Sequence, residues 1–437
     1  MTLDNSTLSR LTECEERPPS VLASPGQLRA EDRARTILER PEMAESRSKI
    51  AALFRADRNA RLADQDDLIE QSVAEHCLHA ALIAAGETPH HPAFVWTIAL
   101  PRKWQGQILP GSRMGQDNPD NVYRFASVDP ARRYVIRGRF AGEAPTDFSI
   151  CSLPAQVGEG IAADVCGIIT RDSLDVDADG GFEITVDNNP TEGRRNHLCI
   201  AGAKVLMGRD TLGDWSIERP SSLQLELTDG DAVDSFDLNS AAPRAAYLAC
   251  TIAEFFLTKV QHGMCEVGPL NTVPAPVASA GRGGLVTQTA ALGYYRLGED
   301  EVLVLTLDPL GARYLGVQIC DMWMLSYDYS YHTSSLNHRQ AMADNDGRIR
   351  MVIAAGDPGV HNWLDGSGSP VGTVLLRWHS IPAGADFAGA VHVDLVKGSE
   401  LKQHLPAETR YLSAAERQAQ REKRLNDYLC RVYADNP

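Results

Sequence analysis

The nine cysteines of this chain are scattered, odd in number and never spaced as CxxC. That excludes a disulfide framework and leaves reduced, mostly buried thiols, the pattern of a cytoplasmic protein. Positive charge is also short. At a net charge of −16 the chain lacks the basic face that nucleic acid demands, and an anionic membrane surface would repel it. No apolar run reaches the length of a membrane span. The longest, Ala245 to Leu257, is broken by Glu254, and the opening stretch MTLDNSTLSRLTECEERPP is too polar for a secretory leader. Gly281-Arg282-Gly283-Gly284 is a lone glycine-rich loop without the lysine of a P-loop or a following helix. No nucleotide or other cofactor is therefore expected.

What is present is a chain of 437 residues with an ordinary apolar share, 43%, enough for two or three domains. Met1 to Gly26 is expected to be loosely attached. Helical patterns follow at Leu28–Leu38, Ala44–Leu62 and Asp66–Ala85, the last with Asp64 or Asp66 as cap and ended by Gly86 and Pro89. From His91 onward short alternating runs separated by Gly, Asp, Asn and Pro predict strands, including Trp215–Glu218, Met324–Tyr329 and a last one at Phe387–Leu395. A strongly apolar helix from Pro243 to His262 should be buried between domains. Ser413, with Glu416 three residues on, opens a closing helix to Val432 through a capping box.

The predicted fold is mainly β with added helices (α+β): two related β-sandwich or jelly-roll-like units, with N-terminal, central and C-terminal helices. The expected boundaries are 1–90, 91–235, 236–284, 285–400 and 401–437. Internal duplication is inferred from features recurring in order. Asp179-Gly180 answers Asp346-Gly347, Asn196-His197-Leu198 answers Asn362-Trp363-Leu364, and Arg209 answers Arg377. Upstream, Tyr123-Arg124 answers Tyr295-Arg296, and Asp129-Pro130 with Tyr134 answers Asp308-Pro309 with Tyr314. A period this long means duplicated domains rather than a solenoid.

Two stretches concentrate groups able to do chemistry. In Asn118-Pro119-Asp120-Asn121-Val122-Tyr123, Pro119 holds Asn118 extended and an Asx turn delivers Tyr123 to a strand. The motif is either structural or places Asp120 as base and Tyr123 as donor. In Trp323–His338, alternation along a strand would put Tyr327, Tyr329 and Tyr331 on one face and Asp328, Ser330 and His332 on the other. Residues along one strand stand too far apart for a serine triad, so a tyrosine-lined pocket with His332 or His338 as acid or base is the better reading. The candidate catalytic residues are thus Asp120, Tyr123, His332 and His338. Asn118, Tyr327, Tyr331, Asn362, Trp363 and Arg377 are the candidate substrate contacts. Arg209 and Arg377, as strand arginines, call for carboxylate partners such as Asp129 and Asp308, or in the case of Arg377 for a substrate carboxylate or carbonyl.

No metal site is expected. His76 and His79 are not spaced as HExxH and are assigned to a surface face. Asp175-Val176-Asp177-Ala178-Asp179-Gly180 starts like an EF-hand loop, but Val186 stands where calcium needs a glutamate.

The Asn-Pro-Asp-x-x-Tyr element, the later Asp-Gly hairpin, Asn362-Trp363-Leu364 and Arg377-Trp378 together resemble a bacterial family catalogued as domain of unknown function 1214. Its relatives often carry a companion domain, 1254, upstream. The C-terminal resemblance covers Tyr314 to Pro382 and implies a β-sandwich or jelly-roll fold. It carries over no catalytic residues, and it departs at Trp378 and His379, where relatives often have Tyr and another residue. The resulting expectation is a cofactor-independent enzyme, a hydrolase, lyase or isomerase. It would act by acid–base chemistry on a small cyclic or hydrophobic molecule held between the units. The alternatives are a non-catalytic carbohydrate or small-ligand module and a self-assembling, shell-like protein; a homo-oligomer fits any of them.

Overall fold

In the computed structural model, residues 18–58, 66–104, 106–159, 165–279 and 287–434 are described. Asp64 and the Gly281–Gly284 loop lie outside these ranges, as do most of the opening residues. Three helices come first: α1 (Pro25–Leu38), α2 (Pro41–Ala56) and α3 (Asp66–Ala85). Proline at the start of α1 and α2 suits a first turn, where the missing N–H has no helical partner.

The first β unit contains β1 (Val95–Ile98), the small hairpin β2 (Arg102–Trp104) and β3 (Gln107–Leu109), and β4 (Asn121–Ser127). It continues with β5 (Tyr134–Arg139), β6 (Asp147–Leu153), β7 (Gly167–Thr170), β8 (Gly181–Asp187), β9 (His197–Cys199), β10 (Val205–Thr211) and β11 (Ser222–Leu227). Helix α4 (Leu238–Phe255) runs through a π-helical stretch (Phe256–Gln261) into α5 (His262–Val267). The second unit comprises β12 (Val277–Ala278), β13 (Gln288–Arg296), β14 (Glu301–Leu307), β15 (Tyr314–Cys320) and β16 (Ser335–Asn337). It ends with β17 (Ile349–Ala354), β18 (Trp363–Asp365), β19 (Val371–His379) and β20 (Val391–Lys397).

Each unit pairs a five-stranded with a four-stranded sheet. The first has the orders β1-β4-β10-β6-β7 and β11-β5-β8-β9; the second has β12-β13-β19-β15-β16 and β20-β14-β17-β18. The orders correspond strand for strand, and in both the β8–β9 and β17–β18 pairs are parallel among otherwise antiparallel neighbours. The Asp-Gly turns precede β8 and β17, and Arg209 and Arg377 lie on the matching strands β10 and β19. The two Asp-Pro turns do not correspond. Asp129-Pro130 joins β4 to β5, whereas Asp308-Pro309 joins β14 to β15, one connection further on.

Alternation along the strands sorts the cores. Ala126, Ile150 and Leu206 face inward into the first sandwich. Their neighbours Phe125, Cys151 and Met207 face outward, into a core built by α1 to α4. The helices therefore cover part of the outer face of the first five-stranded sheet. Helix α4 packs in that layer on α2 and α3, and the segment from its last residue, Phe255, through the π-helical stretch into α5 reaches the space between the units. The reason is its alanine-rich buried stripe, which fits close helix–helix contact.

Several expectations change at this level. Trp215–Glu218 and Met324–Tyr329 are turns, not strands. Asp321 Oδ1 accepts the backbone N–H groups of Trp323 and Leu325, both at 2.8 Å, and this local bonding diverts the chain from the sheet. The three tyrosines consequently share no face. The last strand starts four residues later than read, at Val391. Residues 18–24 are tied down: Ser20 N–H bonds to Val432 O at 3.0 Å, and Leu22 is buried. The capping box of Ser413 and Glu416 is present on the closing helix, Ala414–Val432. Among the described residues no helix is long and apolar enough to cross a membrane.

Candidate functional site

Odd-numbered side chains of β10 and β19 point away from their own sandwich cores, so the two five-stranded sheets turn these faces toward one another. A cavity of about 910 Å³ lies between them, closed from the side by the π-helical stretch. Ile98, Phe125 and Met207 from the first unit, Leu375 from the second, and Phe256 and Met264 from the helix give it apolar walls. The helix comes this close because Gly115, at φ +61°, has no side chain: a Cβ there would stand 2.5 Å from the Phe256 ring. Residues 159, 165 and 279 on its wall adjoin ranges outside the described residues.

The polar groups gather on the strands. Tyr123 on β4 lies opposite Arg209 on β10, with the guanidinium 5.9 Å from the ring centre. The Tyr123 hydroxyl accepts the N–H of Asn118 at 3.2 Å, which leaves its own proton free to donate. Arg377 is buried and donates to the Gln318 side chain and the Gln116 carbonyl. His379 is fully buried, its Nδ1 3.1 Å from Asp147 Oδ2 across the two units. Burial depresses its basicity; Asp147 opposes this, and both Arg377 and Arg209 add to it. His79, also on the wall, donates from Nδ1 to Thr97 O at 3.0 Å, and burial pushes its pKa down to about 4. It is a neutral imidazole with Nε2 left as an acceptor. Asp117 has its carboxyl pushed up to about 6 by burial, against the pull of Arg113 and a 2.9 Å hydrogen bond from Ser326.

The sequence candidates do not converge on one site. Tyr123 and Arg377 line the cavity. Asp120 is buried behind it and saturated by three donors: Trp215 Nε1 at 2.7 Å, Asn337 Nδ2 at 2.9 Å and the Tyr314 hydroxyl at 2.6 Å. Asn118 completes this junction, its Nδ2 3.0 Å from the same hydroxyl. Tyr327 is buried and borders a different cavity, of about 1540 Å³, beside α2 and α3. That cavity is also bordered by Arg55 and Asp67, which flank the 59–65 range outside the described residues.

The remaining candidates are further off. His332 pairs with Asp365 at 2.8 Å, and Tyr331 donates to Gln418 on the closing helix at 3.2 Å. His338 accepts the Leu315 N–H at 3.2 Å. Asn362 bonds the backbone at Met342 and Arg350, and Trp363 is buried with Nε1 on Ala354 O at 3.1 Å. None of these five borders the cavity between the units.

Neither strand arginine has the partner expected of it. Asp129 caps its own turn and Asp308 lies 3.8 Å from Arg348. His76 and His79 are buried, not on a surface face. Asp175 and Asp179 are each paired with an arginine, Arg195 and Arg139, in the hairpin. Arg209, His79 and His379 are the cavity residues that sequence reasoning missed. For Arg209 and His379 a signal existed. Arg209 follows Met207 at a spacing of two in Leu206-Met207-Gly208-Arg209, opposite in phase to core Leu206, and His379 alternates with core Leu376 and Trp378, which sends both to the outward face.

No family model matches this chain, and no curated protein does. Among solved structures, an uncharacterised protein from Burkholderia cenocepacia aligns with a TM-score of 0.68, over 84% of this chain and 99% of its own, at 22% identity. The two share a fold, and the likeness says nothing more. The VPA0106 protein of Vibrio parahaemolyticus aligns over 64% of this chain and 90% of its own at 11% identity, with a TM-score of 0.41.

Proposed function

We propose that this protein takes a small, mainly hydrophobic molecule, cyclic or chain-like, into the cavity between its two β units. The observation that supports this is the cavity itself: ligand-sized, walled largely by apolar side chains, with a few polar groups converging at one side. Binding leads over turnover in this reading because Asp120 is saturated and His332 and His338 lie elsewhere. A second reading, acid–base turnover without a cofactor, is favoured by one arrangement. Tyr123 has a proton to give and His79 a free acceptor nitrogen on the same wall. The resemblance to the 1214 family is compatible with either and decides nothing between them.

Thermal unfolding against a panel of phenolics, steroids, sugars and fatty acids tests the proposal. A compound at about a hundred times its Kd should stabilise the fold by roughly 2.7 kcal/mol. Leu375→Trp, which puts a bulkier ring into the cavity, should reduce that gain. A panel with no hit, or hits whose stabilisation is unchanged by Leu375→Trp in a folded variant, would remove the assignment. Detected turnover that is lost in both Tyr123→Phe and His79→Ala would establish the second reading.

A further inference from the structure

We infer that the molecule taken into this cavity is a lipophilic carboxylic acid whose carboxylate sits against Arg209 and Arg377; this rests on the binding reading above. A cation taken out of water needs an opposite charge or a full set of acceptors. Among the described residues, four of the other six buried arginines are paired with a carboxylate. Arg102 is paired with Glu31 at 2.7 Å, Arg113 with Glu75, Arg124 with Asp210 and Arg417 with Asp357 at 2.9 Å. Arg424 and Arg431 have no carboxylate but lie over the Trp215 ring, at 4.4 and 4.9 Å, under the closing helix.

Arg377 differs from all of these. It faces a cavity, and its two hydrogen bonds go to neutral oxygens, the Gln318 amide and the Gln116 carbonyl. A guanidinium carries five donors, so most of its fork is left over. Arg209, half-buried on the facing sheet, makes no side-chain hydrogen bond or ion pair among the described residues and lies 5.9 Å from the Tyr123 ring centre. Arg209 lies opposite Ser149, two residues from Asp147, and Asp147 meets His379, two residues from Arg377 on the same strand, so the two arginines approach one end of the cavity. Two carboxylates also line it, and neither is within ion-pair distance of Arg209 or Arg377, although Arg377 joins Arg113 in holding the Asp117 carboxyl down. Glu159 is held by Arg244 at the wall, and Asp117 is hydrogen-bonded to Ser326 and buried beside Arg113. Exposed Lys259 adds positive charge on the helical side.

The matching ligand group is planar and two-oxygened, because a guanidinium fork binds a carboxylate in parallel hydrogen bonds. The rest of the ligand must be apolar to suit Phe125, Met207, Phe256 and Leu375. A polar phosphoester would leave those walls facing water.

The test is titration calorimetry of the full chain with matched pairs: dodecanoate against 1-dodecanol, and 2-naphthoate against 2-naphthamide. Each acid should bind about tenfold or more tighter than its neutral twin. Arg209→Met should remove most of that preference while leaving the neutral compounds unchanged. Arg209 makes no side-chain hydrogen bond or ion pair among the described residues, so this variant should fold, as circular dichroism would check. Arg377→Met should do the same if it folds. Equal affinity for acid and neutral twin would overturn the inference and leave the cavity proposal standing. So would an acid preference untouched by Arg209→Met. No binding by either class would overturn both.

Discussion

Asp321 is buried in the turn between β15 and β16, and burial pushes its pKa up to about 7, against the two backbone N–H bonds and Arg113 that pull it back. In the unfolded chain the same carboxyl titrates near the usual carboxylate value. The folded form therefore holds a proton that the unfolded form has released, and stability from this group is full below about pH 4 and lost as pH rises through about 7. Asp321→Asn keeps the Oδ1 acceptor for Trp323 and Leu325 but cannot ionise. Relative to the parent, the variant should gain on the order of 2 kcal/mol between pH 5 and pH 8. Urea unfolding at the two pH values measures this, and parallel pH profiles would show that Asp321 is not the group responsible. The residue scale is also where the sequence was least legible. Asp120 is expected as a pocket base or an Asx-turn residue, but the structure buries it away from the cavity, and nothing in Asn-Pro-Asp says that the donors to its carboxylate come from Trp215, Tyr314 and Asn337. Such partners are set by tertiary packing over long separations.

At the scale of elements, legibility followed apolar pattern and punctuation. Glu301–Leu307 and Tyr314–Cys320 are strands because each is a short, nearly continuous apolar run bounded by turn residues, the pattern of a strand buried on both faces. The Tyr-x-Tyr-x-Tyr stretch alternates, yet Asx-type bonding from Asp321 and Asp328 wins there. The π-helical stretch carries no simple sequence mark, and it forms part of the cavity wall. Its fit against Gly115 is open to experiment. Gly115→Ala should cost the backbone penalty of a left-handed alanine, about 1–2 kcal/mol, and in addition must displace the Phe256 ring. Gly347→Ala is the control, since it has a φ of +78° but open space around the added methyl. Urea denaturation should show Gly115→Ala as the more destabilised of the two by at least about 1 kcal/mol. Equal losses would mean that Phe256 does not rest on Gly115.

For the whole molecule, the recurrence of Asp-Gly turns and strand arginines pointed to paired units, and the matching strand orders agree with that pattern. The Asp-Pro turns misled because such turns recur wherever strands reverse, independent of topology. What the sequence concealed was how tightly the units are joined. Asp120 of the first unit accepts from Tyr314 and Asn337 of the second, Asp147 from His379, and the closing helix spans both. Arg431 on that helix donates to Pro119 O at 2.6 Å, and Arg424 donates to Ser335 Oγ at 2.8 Å. Separating the units would expose these buried polar groups together, so neither unit has a comfortable folded state without the other. A chain of this length ordinarily unfolds in stages. Here calorimetry should show one transition, with van't Hoff and calorimetric enthalpies in agreement. Asp120→Ala leaves Trp215 Nε1 and one amide hydrogen of Asn337 without an acceptor, while the Tyr314 hydroxyl retains Asn118 Oδ1 at 3.1 Å, and should cost roughly 2–6 kcal/mol. It should also lower the van't Hoff enthalpy below the calorimetric one, as the units begin to melt separately. Two resolved transitions in the parent protein would show that the junction does not couple the units. A variant that loses stability while keeping the two enthalpies equal would show that Asp120 stabilises the fold without being the link between its halves.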